Sequence, residues 1–179
     1  MVNENGLVRA MKKAWKDGGY IVTVREDLIY IRYNAWDLIV PVKLLPRKVL
    51  ALLVEHIGSI PQDGEAYQCR KAYGAQLVAP AIAHDSMEQL LLMKCSDGCE
   101  KTKLVWGDAD IYQGFGDLQI CGLNHDYTRI VDSEKPGNAW MWENGVVWVD
   151  DAKIRICGMV IPEFVQNVLS SVQWVGGDK

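Results

Sequence analysis

Long apolar runs are missing from this chain. The longest wholly apolar one is Val49-Leu50-Ala51-Leu52-Leu53-Val54, whereas a membrane-spanning helix needs roughly 20 such residues. No membrane contact is expected. A secretory leader is not visible either, because Met1 is followed by the polar Val2-Asn3-Glu4-Asn5-Gly6 rather than by a basic start and an apolar core. Together these features point to a cytoplasmic protein. Excess positive charge is also lacking: 19 Lys and Arg face 23 Asp and Glu, a net charge of -4. Without a basic tail or run, a strong charge-driven grip on nucleic acid or anionic lipid is not expected of the chain as a whole. Intrinsic disorder needs few apolar residues and a high net charge, which a chain 49% hydrophobic and 23% charged does not have.

Catalytic signatures are scarce. There is no Gly-x-Ser-x-Gly elbow, no Walker loop, no dinucleotide fingerprint and no His-Glu-x-x-His. No cofactor and no catalytic residue is assigned from sequence. Five cysteines at 69, 95, 99, 121 and 157 are an odd number without the rhythm of a disulfide framework, and in a cytoplasmic protein they read as reduced thiols. Cys95 and Cys99 have zinc-compatible spacing but no second pair, so no metal site is assigned; oxidation could instead join them. Asp108, Asp110 and Asp117 read as turn aspartates between strands. His84-Asp85-Ser86 and His125-Asp126 set histidine beside carboxylate, yet neighbours on a strand point to opposite faces. A small hydrolase or thiol enzyme built on His84 or His125, with Cys121 or Cys157, remains as an alternative.

What the sequence does have is periodicity. Leu7, Val8, Met11 and Trp15 recur at helical spacing over residues 4–17, with Arg9, Lys12, Lys13 and Lys16 on the other face. Residues 20–24, 28–33 and 36–42 alternate as strands, and Pro41, which cannot donate a ladder hydrogen bond, places the third at a sheet edge or in a bulge. An edge there would also allow dimerisation. Pro46 begins a broadly apolar helix to about Gly58, with His56 beside its apolar face. Residues 65–71 and 75–82 read as strands, 86–94 as helix or buried strand, and 94–103 as an exposed loop. Strand-like runs follow at 103–106, 110–113, 118–121, 127–131, 139–142, 146–149 and 153–157, with Asn144-Gly145 as a strong hairpin signal. Pro162 starts a last helix carrying Phe164, Val165, Val168, Leu169 and Val172, and the tail from Gly176 reads as frayed.

These elements predict an α+β fold, mainly antiparallel sheet with about three helices, in one compact domain over 1–179. Two stretches share a grammar. Residues 37–46 and 153–162 each follow a hairpin, end in proline and lead into an apolar helix, 116 positions apart, with Pro46 over Pro162, Val49 over Val165 and Leu53 over Leu169. Two related βββα lobes, about 1–82 and 100–179 and joined by the loop 94–103, would bury each other's apolar sheet faces.

The order of helix, antiparallel strands, helix and strands resembles the repeating unit of DNA sliding clamps, over roughly residues 4–80 and again at 139–174. The resemblance implies an accessory protein that meets DNA through basic helices, here Arg9, Lys12, Lys13, Lys16, Arg47 and Lys48. The last helix departs from it, with no Lys or Arg from Pro162 to Trp174. The opening Asn5-Gly6-Leu7-Val8-Arg9-Ala10-Met11-Lys12-Lys13-Ala14, Gly18-Gly19-Tyr20 and Leu45-Pro46-Arg47-Lys48-Val49-Leu50-Ala51-Leu52-Leu53-Val54-Glu55-His56 resemble small uncharacterised proteins of phages and conjugative elements of gut Firmicutes, which implies a mobile-element setting. The favoured reading is a non-enzymatic binding or assembly module acting through a protein partner or self-association, with Trp140, Trp142 and Trp148 as its aromatic contact surface.

Overall fold

The computed structural model describes residues 1–94, 97–143 and 145–175. The first helix, α1 (Glu4–Lys16), begins where the Asn3 side chain accepts a hydrogen bond from the Gly6 amide at 2.9 Å, the usual device for satisfying a free helix-start N–H. Glu4 in its first turn and Lys13 and Lys16 in its last complement the helix dipole. Its inward face is Gly6, Leu7, Ala10, Met11 and Ala14.

Three strands follow as a meander: β1 (Tyr20–Arg25), β2 (Leu28–Tyr33) and β3 (Trp36–Pro41). Glu26 and Asp27 both take positive φ, at 53° and 62°, which gives the two-residue turn between β1 and β2 the twist that a tight hairpin needs. Helix α2 (Arg47–Ile57) starts after Pro46 and ends at Gly58, whose φ of 91° is left-handed. Strands β4 (Ala66–Arg70) and β5 (Gly74–Val78) form a second hairpin, and α3 (Ala81–Leu92) follows. The second half contains β6 (Asp97–Trp106), β7 (Ala109–Gly114), β8 (Ile120–Asn124), the single-turn α4 (His125–Thr128), β9 (Asn138–Trp142), β10 (Gly145–Val149), β11 (Lys153–Cys157) and α5 (Glu163–Ser170).

All eleven strands join one sheet, in the order β5-β4-β1-β2-β3-β11-β10-β9-β6-β7-β8, and every neighbouring pair is antiparallel. The main core lies on one face, under α1 and α2, and runs from Tyr20, Val22 and Trp36 through Leu38, Ile154 and Ile156 to Trp148, Tyr112 and Leu123. On the opposite face α3 covers a smaller cluster of Tyr30, Ile39, Ala66, Ala83, Met87 and Leu90. The C-terminal segment covers that same opposite side of β7 and β8. There Gln113, fully buried, donates to the Val172 carbonyl at 2.8 Å and accepts from the Trp174 amide at 2.7 Å.

The α+β class and the dominant antiparallel sheet agree with the sequence reading. Five helices are described, four of them longer than one turn, rather than about three. Other expectations are corrected. Strand β3 lies at the centre of the sheet, between β2 and β11, and so offers no free edge for dimerisation. Pro41 is tolerated because it is the last residue of the strand, opposite Leu28. The polar stretch expected as a loop is β6 from Asp97 onward, with Cys99 and Thr102 buried. Residues 81–92 are helical, and Tyr127–Val131 is not a strand: the Asn124 side chain accepts from the Asp126 amide at 2.9 Å and starts α4 instead. Cys95, Asn144 and the tail from Gly176 lie outside the described residues, and with them the Cys95–Cys99 pair and the corner of the β9–β10 hairpin.

The two βββ meanders meet through their third strands. Leu38 of β3 stands directly opposite Ile154 of β11, its counterpart at the 116-residue offset. Their helices differ in placement, α2 on the main-core face and α5 with the segment behind β7 and β8.

Candidate functional site

Strand β6 bridges two parts of the sheet. It pairs with β9 only at Asp97–Met141 and Gly98–Trp140, while its pairing with β7 continues and shifts register between Lys101 and Val105. Beyond Gly98 the two strands part, and a cavity of about 610 Å³ lies between them. Cys99, Glu100 and Lys101 of β6 line one side, Asn138, Ala139 and Trp140 of β9 another, and Tyr112, Phe115 and Trp148 add aromatic surface. His125, Thr128 and Arg129 close the end nearest α1.

The polar centre of the site is Asp110. Its side chain is 3% exposed, and it accepts from Lys101 Nζ at 2.9 Å, from Thr128 Oγ1 at 2.8 Å and from His125 Nδ1 at 3.0 Å. Burial by itself pushes the Asp110 carboxyl up, but the bonds from Lys101, Thr128 and His125 outweigh it and hold the group below its ordinary value. His125 is engaged on both sides, since Arg129 approaches Nε2 at 2.9 Å. An arginine can only donate, so Nε2 accepts, and Nδ1 carries the proton that goes to Asp110.

Two aromatic residues of the lining are buried. Tyr112 is 8% and Trp148 2% exposed, and their rings meet edge to face at 5.5 Å. Both residues line the cavity, whereas the buried side-chain atoms without a hydrogen-bond partner among the described residues, Trp36 Nε1, Arg70 Nε and Arg155 Nε, lie outside its lining. Buried polar groups are normally paired.

The three tryptophans expected to share a contact surface are divided. Trp148 faces the main core, and Trp140 and Trp142 project from the other side of the hairpin, where Trp142 lies 4.8 Å beneath the Arg155 guanidinium. Arg155 in turn pairs with the buried Asp37, which also accepts from the Tyr30 hydroxyl at 3.2 Å. Trp140 and Trp148 both line the cavity, and Trp142 does not.

His84 sits in α3 with Nε2 3.3 Å from the Thr23 hydroxyl, and the neighbouring Ser86 is held by Arg32. His56 stacks on Trp15 with ring centres 4.0 Å apart and bonds the Tyr20 hydroxyl at 2.9 Å through Nδ1; burial lowers its pKa. Burial pushes the Cys99 and Cys121 thiols each up to about 12, so neither is a nucleophile at neutral pH. Asp117 accepts from the Gln119 amide at 2.9 Å in a turn and is not among the partners of Asp110. Among the described residues no group of three or more His, Cys, Asp or Glu side chains is placed to hold a metal ion.

The basic residues of the first two helices are all exposed. Arg9, Lys12, Lys13 and Lys16 stand on the outer side of α1, and Arg47 and Lys48 on the first turn of the adjoining α2. Lys48 is tied to Glu4 at 3.3 Å, and Lys13 stands 4.0 Å from Asp17. Among the described residues no helix is long and apolar enough to cross a membrane. Comparison of the chain with protein-family models, curated proteins and solved structures finds no match.

Proposed function

We propose that this protein is a binding module and that the cavity between β6 and β9 is its ligand seat. The observation that carries this reading is the conjunction in one place of about 610 Å³ of space, the buried aromatic rings of Tyr112 and Trp148, and the polar side chains of Lys101, His125, Thr128 and Arg129. Small-molecule sites are commonly clefts of about 300–1,000 Å³ with apolar walls and a few converging polar groups. Binding is favoured over catalysis because both nitrogens of His125 are already engaged and the neighbouring Cys99 thiol holds its proton. The Asp110 cluster then acts as a brace: it fixes α4 against β6 and β7 and keeps the cavity open at that end.

The test is calorimetric titration with indole, a small planar probe with one N–H. The expected result is saturable 1:1 binding that is lost in Ala139→Leu, whose longer side chain grows into the cavity. A folded Ala139→Leu variant that binds indole as well as the unaltered chain contradicts the proposal.

A further inference from the structure

A second, smaller cleft of about 170 Å³ adjoins the cavity, formed by Arg9, Ala10 and Lys13 of α1 with Asp126, Tyr127 and Arg129. Arg129 lines both, so the two hollows lie on either side of one side chain. Their chemistries are complementary. The cavity presents flat aromatic residues, Tyr112 and Trp148 among them. The cleft sets three cations against a single carboxylate, and that carboxylate, Asp126, is a loose 4.0 Å from Arg129. Arg9 has no acidic partner among the described residues, and Lys13 has only the distant Asp17.

Resting on the cavity as the binding site, we infer that the ligand is a nucleotide, with its base in the aromatic cavity and its phosphate in the cleft on Arg129, Arg9 and Lys13. A nucleobase is planar and stacks on aromatic side chains whatever its identity. Its ring nitrogens and carbonyls are acceptors for the hydrogen-bond donors of the lining. Guanidinium groups match phosphate oxygens with paired donors. The Arg129 contact to His125 Nε2 fixes the guanidinium between base and phosphate sites, and His125 is itself held by Asp110. The same chemistry could come from a free mononucleotide or from the end of a single strand.

The experiment titrates the full chain with adenosine, adenosine 5′-monophosphate, a 5′-phosphorylated hexa-adenylate and indole. AMP is expected to bind about tenfold more tightly than adenosine, the equivalent of one charge-assisted hydrogen bond. The Arg9→Ala/Lys13→Ala variant, altered only in the cleft, should bring AMP close to the level of adenosine and leave adenosine unchanged. Ala139→Leu should weaken both by a similar factor. Equal affinity for AMP and the hexamer identifies a free nucleotide; tighter, more salt-sensitive binding of the hexamer identifies a strand end. AMP binding no tighter than adenosine, or unchanged AMP binding in the double variant, overturns the inference. If indole binds and is blocked by Ala139→Leu while adenosine and AMP do not bind, the cavity stands as a ligand site and the nucleotide falls. If none of the four binds, both fall.

Discussion

Asp110 shows how one buried carboxylate can organise a site. Its three donors come from β6 and from the first and last residues of α4, so removing its charge loosens both segments together. Asp110→Asn is expected to cost about 2 kcal/mol in urea unfolding, within the range for hydrogen bonds to charged groups, since Lys101 and His125 are half exposed and recover water. The pH dependence has a definite sign. The folded-state value lies below the ordinary 3.8, so the stabilisation is complete above about pH 4 and is lost as pH falls through the lower folded value. Acid unfolding of the unaltered chain should therefore steepen in that window, and the Asn variant should lack this component. The cluster was only half legible in the sequence. His125 stood out, but beside Asp126, whereas its partner Asp110 stands across the β7–β8 ladder, opposite Leu123. That partnership depends on strand register, which sequence neighbours do not reveal.

Among the elements, α1 explains a glycine that periodicity passed over. Gly6 lies where the helix crosses the backbone after α4, and a Cβ there would overlap the Arg129 carbonyl. Gly6→Ala is expected to cost about 2–3 kcal/mol through overpacking, measured by thermal or urea unfolding, and to weaken ligand binding by displacing Arg129. An equally stable variant would show that the approach of α1 is not tight. Helices with strong amphipathic spacing, α1, α2 and α5, were legible, as were the hairpins with turn residues. The failures have physical causes. Strand β6 is polar along one side because Glu100, Lys101 and Lys103 face outward while Cys99 and Thr102 are buried, and a run of Lys, Glu and Thr reads as a loop. Pro41 suggested an edge because its missing N–H counts against a central strand, but at the final position of β3 that N–H is not needed.

At the scale of the whole molecule, the sheet is continuous from β5 to β8, and the β3–β11 ladder joins the first meander to the last. Trp36, wholly buried, sits on that ladder opposite Ile156. Unfolding should be one cooperative event, with tryptophan fluorescence and far-ultraviolet circular dichroism giving coincident urea transitions; two separated transitions would mean that the halves fold as independent lobes. The sequence anticipated the class and the dominant antiparallel sheet, but not the cavity, which lies where β6 and β9 pair briefly and then part.

The central claim is that this parting makes a ligand seat. Amide and indole nuclear magnetic resonance spectra recorded during an indole titration test it most directly. The account predicts saturable shifts of the Trp148 indole N–H together with the amides of Gly98, Cys99 and Asn138. Shifts confined to other parts of the chain, or no shifts at millimolar indole, would contradict it.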